Sequence, residues 1–279
     1  MIKMIFFDID GTLLNSKGKI SASTQKAISM VQQQGIICGI STGRTPGSVH
    51  AVLKEFPLDV FIVCNGQLVY TTDELIYAKA FDENVLDDIV TYSEAFSRQV
   101  LFCGRNHSAG SKTMQFGQSR LLTQIIRFVP KKIPVSFLQT TMQKYRPKRF
   151  QAERYSGLQI LNEPIYQCVM LAGTDEDHSL KKALPHCDLK RSNPYSVDIV
   201  PKDSSKLTGI KFLAAHFDIA MDEVMVFGDH LNDIEMITGA GLGVAMGNAT
   251  AKTKQAADFI TQTNDQEGIY TALKYFNVI

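Results

Sequence analysis

The sequence predicts an α/β protein built on a doubly wound, mainly parallel sheet, with a second α/β segment in the middle of the chain. Three observations carry this. Met4, Ile5, Phe6 and Phe7 form a continuous apolar run that ends at Asp8, Asp10, Gly11 and Thr12. That is the pattern of a strand covered by helices on both faces and finishing at a ligand-binding edge. Two further apolar runs, Ile36 to Ile40 and Val60 to Cys64, follow at helix-sized intervals with short links, which makes strand–helix–strand units with parallel neighbours. From about Asp82 this alternation weakens, and it returns after Pro201.

Taken in order, the first strand ends in two carboxylates at i, i+2. That spacing puts both on one face of an extended chain, where two anions repel each other. A cation between them, or a different role for each, removes the difficulty; a plain Asp-Gly turn after a core strand is the alternative. Gly11 permits a sharp turn and a close backbone approach to a ligand. Ser21 or Ser23 can cap a helix to about Gln34, with Ala27, Ile28 and Val31 as its buried stripe and Gly35 as its stop. The strand at 36–40 ends in Ser41-Thr42-Gly43-Arg44, so Thr42 emerges at the same sheet edge as Asp8. Pro46 suits the first turn of the next helix, and Val49, Val52, Leu53 and Phe56 give it an apolar face. The strand at 59–64 ends in Asn65-Gly66, a strong hairpin signal, with strands expected at 67–71 and 75–79.

The middle of the chain is less legible. Val85, Ile89, Tyr92 and Phe96 fit a helix and 100–103 a strand. Residues 104–163 include Leu121, Leu122, Ile125 and Ile126 on a helix pattern. They also include a basic stretch, Lys144-Tyr145-Arg146-Pro147-Lys148-Arg149, read as a solvated surface or an anion contact. A strand at 165–171, a helix at 175–184 and strands at 187–191 and 195–200 follow. Ser204 or Ser205 can cap a helix through Phe217 that has Lys206 in its first turn. The helix dipole disfavours a cation there, which suggests an anionic partner. The strand at 224–227 terminates in Gly228-Asp229-His230-Leu231-Asn232-Asp233. A strand at 242–246 leads to Gly247-Asn248-Ala249; a strand at 259–261 and a helix at about 266–276 complete the chain.

Composition excludes several classes. With 279 residues there is room for two domains; 44% hydrophobic and 20% charged residues are those of a soluble globular protein. A net charge of +1 gives no electrostatic case for nucleic acid or an anionic membrane. No apolar run approaches the ~20 residues of a membrane span. The N-terminus enters a strand directly and does not read as a signal peptide. Five scattered cysteines, Cys38, Cys64, Cys103, Cys168 and Cys187, read as reduced buried thiols in a cytoplasmic protein.

Asp8-x-Asp10-Gly11-Thr12, Thr42-Gly43-Arg44, Lys206 and Gly228-Asp229 with Asn232-Asp233 occur in one α/β order, each at a strand end or helix start. The set resembles the four motifs of the haloacid dehalogenase superfamily, and most closely its Cof-type branch (subfamily IIB), mostly sugar-phosphate and related phosphomonoester phosphatases. The likeness is good over 1–83 and about 195–279; the middle third matches only in length and position. It implies a catalytic core of 1–83 and 190–279 and an α/β cap at 84–189. It also implies Mg2+-dependent hydrolysis of a small phosphorylated metabolite, a sugar phosphate or relative, through an aspartyl-phosphate. Carried over residue by residue, Asp8 is the nucleophile, and Asp10 the acid–base group. Asp8, Asp229 and the Asp10 carbonyl are the metal ligands, with Asp233 a ligand through water. Gly11, Thr12, Thr42, Gly43, Arg44, Asn65, Lys206 and Asn232 surround the phosphate. Mg2+ suits such hard oxygen ligands, and no His/Cys cluster suggests zinc. His230 stands where the family often has Gly. A phosphomutase of the same fold and a non-catalytic binding protein are the rival readings. The expected partner is a small phosphate ester, with no nucleic acid or membrane, and the expected state a monomer or weak homodimer.

Overall fold

A computed structural model of the chain describes residues 1–54, 56–112, 114 and 154–279. The helix pattern around Leu121 to Ile126 and the basic stretch 144–149 lie outside the described residues. Two compact units emerge, Met1–Lys79 with Ser204–Ile279, and Ala80–Asp203.

The first half of the first unit alternates strand and helix. Strand β1 (Met4–Phe7) is buried throughout. Helix α1 (Ala22–Gln33) starts at Ser21, whose hydroxyl accepts the Thr24 N–H, and buries Ala27, Ile28 and Val31. Gly35 follows at φ +80, a left-handed stop. Strand β2 (Ile37–Ser41) and helix α2 (Pro46–Leu53), with Pro at its start, lead to β3 (Val60–Val63). Strands β4 (Leu68–Thr71) and β5 (Leu75–Ala78) are antiparallel additions at the edge.

The second unit holds α3 (Glu83–Ala95), β6 (Val100–Cys103), β7 (Ser108–Gly110), β8 (Gln167–Leu171), α4 (Asp177–Ala183), β9 (Cys187–Lys190) and β10 (Ser196–Pro201). Its five-stranded antiparallel sheet runs β7-β6-β8-β10-β9. Ile89, Val100, Phe102, Cys168, Leu180 and Ile199 sit in its core. Strand β7, Ser-Ala-Gly, was not anticipated: it has no apolar pattern and exists by pairing with β6. The second boundary between the units falls at Asp203/Ser204 rather than at 190, because β10 pairs with β8 and β9.

The first unit resumes with α5 (Lys206–His216), β11 (Val224–Gly228), α6 (Ile234–Gly239), β12 (Leu242–Ala245), α7 (Ala251–Ala256), β13 (Phe259–Ile260) and α8 (Gly268–Tyr275). Helices α6 and α7 have six residues each, too short for the periodicity that reveals longer ones. The eight-stranded sheet has the order β13-β12-β11-β1-β2-β3-β4-β5, and its neighbouring strands are parallel except in the β3–β4 and β4–β5 pairs. Met4, Phe6, Val60, Ile62, Val224 and Val226 form one core with Ile210 and Leu213 of α5 and Met236 and Ile237 of α6. The order runs outward in both directions from β1, which makes the end of β1 the topological switch point where ligands bind. All five cysteines are buried, and none is in a disulfide. No helix among the described residues is long and apolar enough to cross a membrane.

Candidate active site

The register of the sheet assembles the site. Phe7 lies level with Phe227 on one side and Ile40 on the other, so Asp8, Ser41-Thr42 and Gly228-Asp229 leave the sheet side by side. The Asp8 N–H donates to the Phe227 carbonyl at 2.9 Å, and the Thr42 N–H to the Ile62 carbonyl at 2.9 Å. Lys206 comes from the first turn of α5, which Ser205 caps through the Thr208 N–H. The anions that Lys206 meets are Asp8 and Asp233: its Nζ donates at 2.5 Å to Asp8 Oδ1 and at 2.5 Å to Asp233 Oδ1. The lysine side chain has no exposed surface. The second Asp233 oxygen accepts the Asp229 and His230 N–H groups at 2.9 Å each. One buried carboxylate therefore fixes both the lysine and the loop that presents Asp229.

Asp8, Asp229 and Asp233 each offer an oxygen within 4.8 Å of the others. Burial pushes the Asp8 carboxyl up to about 7; Lys206 pulls the other way and Asp233 adds to the rise. Asp229 is pushed up to about 8, by burial first and then by Asp8 and Asp233. Lys206 is held above its ordinary value against the burial that lowers it, because Asp233 and Asp8 face it. Three clustered carboxylates share one ammonium, and the excess negative charge together with hard oxygen donors fits a divalent cation such as Mg2+. Asp8 and Asp229 are the ligands this arrangement offers; both Asp233 oxygens are already engaged.

Gly11 sits at φ +89, and a Cβ there would run into the Asp229 carboxylate. Thr12 Oγ1 donates to Asp229 Oδ1 at 3.4 Å. Thr42 is buried, and its Oγ1 accepts the Arg44 N–H at 3.2 Å. Arg44 reaches Asp10 rather than the carboxylate cluster. The loop after β3 is wider than a two-residue turn. Cys64, Asn65 and Gly66 are all left-handed, at φ 52, 54 and 97, and Asn65 is fully buried. Asn65 N–H donates to the Thr42 carbonyl, and its Oδ1 accepts from Asn232 Nδ2 at 3.3 Å. Asn65 and Asn232 thus brace the loops behind the site.

Gly66 abuts the Ser205 carbonyl, where a Cβ would collide with backbone. Gly66→Ala is expected to lower unfolding free energy by about 2–4 kcal/mol, from left-handed strain plus overpacking. Chemical denaturation measures this; an unchanged midpoint would contradict the close approach of this loop to α5.

Sequence reasoning missed Asn248. Its Nδ2 donates to the Gly11 carbonyl at 2.8 Å, and its Oδ1 accepts the Asn264 N–H at 3.0 Å. Asn264 Nδ2 in turn donates to the Leu14 carbonyl at 2.7 Å. The chain past β12 therefore pins the turn that follows Asp10. The available signal was positional: Gly247-Asn248 follows the end of a parallel strand, like the other site segments.

A family model described as haloacid dehalogenase-like hydrolase matches residues 5–273. YkrA of Bacillus subtilis is 30% identical over 277 residues, covering 99% of this chain and 98% of that protein. The phosphatase YwpJ of the same organism is 29% identical, covering 98% and 99%. Among solved structures, a HAD subclass IIB sugar phosphatase superposes with a TM-score of 0.79 at 27% identity, covering 99% of this chain and 100% of that one.

Proposed function

The chain belongs to the haloacid dehalogenase-like hydrolases, and from that premise we propose that it is a Mg2+-dependent phosphatase of small phosphorylated metabolites, sugar phosphates or close relatives. The observation that carries this reading is the buried Lys206 between Asp8 and Asp233, beside Asp229. It is a costly arrangement to bury and a useful one for phosphoryl transfer. The likeness to a sugar phosphatase over the whole chain supports the substrate class.

Lys206 occupies Asp8 Oδ1 and leaves Oδ2 as the attacking oxygen. Asp8 forms a covalent bond to phosphorus while the bond to the leaving oxygen breaks, and Asp10 gives that oxygen a proton. Asp10 then takes a proton from water as the water attacks the aspartyl-phosphate, and inorganic phosphate departs. Thr42 donates its hydroxyl to a phosphoryl oxygen, and Lys206 offsets the charge gathered on Asp8 and the phosphoryl group. Asp8, Asp229 and the Asp10 carbonyl would hold Mg2+, which when bound screens carboxylate from phosphate and neutralises developing charge. Asn65, Asn232 and Asp233 orient the loops, and residues 84–189 discriminate among leaving groups.

The test is a panel of phosphate esters with purified protein. Phosphate release should need Mg2+, stop with chelator, and return on adding Mg2+. Full turnover in metal-free buffer would sink the assignment, and isomerised sugar phosphate without phosphate release would favour a mutase.

Metal binding should also depend on pH. The raised Asp8 and Asp229 carboxyls hold protons near neutrality that a cation must displace. Apparent affinity is therefore expected to rise from pH 6 to pH 8, by up to about tenfold per unit for each proton released. Calorimetry in buffers of different ionisation enthalpy counts those protons. A flat profile would mean that both carboxyls are already ionised across this range and that the cation displaces no proton from them.

A further inference from the structure

Asp10 stands beyond the end of β1 with 56% of its side chain exposed, next to the left-handed Gly11. Nothing in its own backbone holds the carboxylate in one direction. Arg44 does. Its Nε donates to Asp10 Oδ2 at 2.6 Å and its Nη2 to Asp10 Oδ1 at 2.8 Å, a two-bond fork. The fork is itself anchored. Nη1 donates to Ser48 Oγ at 2.9 Å, the Arg44 N–H donates to Thr42 Oγ1 at 3.2 Å, and the Arg44 carbonyl accepts the Cys64 N–H at 2.9 Å. Three of the five guanidinium N–H donors are thus spent on holding Asp10 and on Ser48.

An arginine that recognises phosphate directly aims its fork at the ligand. Here the fork is aimed at a carboxylate, and Ser48 in the first turn of α2 fixes its other side. We propose that Arg44 is a positioning residue that sets the direction of the Asp10 carboxylate, acting on the reaction through Asp10 and not as a phosphate contact. The proposal rests on the reading of Asp10 as the acid–base group. Its physical basis is preorganisation: an exposed carboxylate samples several rotamers, and proton transfer to a leaving oxygen needs one of them. Lysine cannot substitute, because an ammonium is a point charge without a planar fork.

The experiment compares Arg44→Lys and Arg44→Ala, each alone and combined with Asp10→Asn, on β-glycerol phosphate and p-nitrophenyl phosphate. The first leaving group needs protonation and the second needs little. Arg44→Lys is expected to lower kcat on β-glycerol phosphate by about ten- to a hundredfold, with KM within about twofold. The burst of p-nitrophenol should suffer much less. In the Asp10→Asn background the same substitution should cost no more than about twofold, since the group it acts through is already gone. A rise in KM on both esters that persists in Asp10→Asn would mean that Arg44 binds phosphate. An equal kcat loss on both esters that also persists would mean a general structural role. Either result overturns the proposal.

Crystal structures of the same variants give a readout without turnover. Asp10 should occupy one position in the parent protein and spread over several in Arg44→Ala; an unmoved Asp10 overturns the proposal. If the parent protein hydrolyses no ester while Asp10 still loses its order on substitution, the phosphatase reading fails and the positioning role stands. Arg44→Lys keeps the charge of this part-exposed pair, so it serves if Arg44→Ala does not fold.

Discussion

Asp8→Asn is expected to abolish phosphate release from every ester, by a factor on the order of 10⁵, and to form no phosphoprotein. Asp10→Asn separates from it by timing. Both are carboxylates at the end of β1, so loss of activity alone does not tell them apart. Asparagine at position 8 removes the attacking oxygen. Asparagine at position 10 removes the proton donor, which costs about 10²–10⁴-fold with an alkyl ester and much less with p-nitrophenyl phosphate. The second step still needs a base to activate water. Asp10→Asn should therefore give a stoichiometric burst of p-nitrophenol and an accumulating phosphoprotein labile to hydroxylamine. Accumulation in Asp8→Asn would reverse the two assignments, and label on serine or histidine would end the aspartyl mechanism. Asp8 is nearly buried against Lys206, whereas Asp10 is half exposed, where a leaving group and water can reach it.

Lys206→Met carries the largest effect on stability. It removes the ammonium that two buried carboxylates share and replaces it with an apolar chain of similar length. Breaking a buried pair in this way costs about 3–5 kcal/mol, and turnover should fall about a thousandfold with the loss of charge stabilisation at the reacting centre. The cost should depend on pH. Asp8 and Asp229 already sit near 7 and 8 with the lysine present, above the ordinary carboxyl range of the unfolded chain. The folded variant then holds protons that the unfolded chain has released between about pH 4 and 8. Its stability falls as pH rises across that window. The parent protein shares that fall up to about pH 7; without the ammonium the carboxyls keep their protons to higher pH, so the deficit is near constant below about pH 7 and grows above it. Urea unfolding of both proteins at pH 5 and pH 8 measures it. An equal deficit at the two pH values would mean that lost packing, not exposed charge, explains the defect.

What the sequence determined by itself was whatever local pattern encodes. The apolar runs at 4–7, 36–40 and 224–227 read as buried strands, and the structure has strands at Met4–Phe7, Ile37–Ser41 and Val224–Gly228. Ser21 or Ser23, Gly35, Pro46 and Ser204 or Ser205 mark helix ends through their own chemistry, and the structure uses Ser21 and Ser205 as the caps with Gly35 and Pro46 in their expected places. The order of motifs at strand ends was enough to identify the family and to nominate Asp8, Asp10, Lys206 and Asp229. Short elements were not legible: α6, α7 and β7 have too few residues for a period to register, and neighbours hold them in place. The second unit boundary at 190 came from the resemblance, while the residues themselves have the core alternation returning after Pro201; the sheet that β10 joins is settled by its pairing with β8 and β9.

Only the tertiary structure decided which side chains face one another. Lys206 lies 198 residues from Asp8 in sequence and 2.5 Å from it in space. Asn65, placed among the phosphate contacts by resemblance, is fully buried and braces Thr42 and Asn232. Arg44, placed there too, turns its fork onto Asp10. Asn248 had no motif to announce it, yet it holds the Gly11 carbonyl. The reason is physical. A strand end fixes where a residue emerges, within a few ångströms, and local sequence suffices for that. The direction of a polar side chain depends on which donor or acceptor meets it from another strand or helix, and that partner is set only when the sheet has closed.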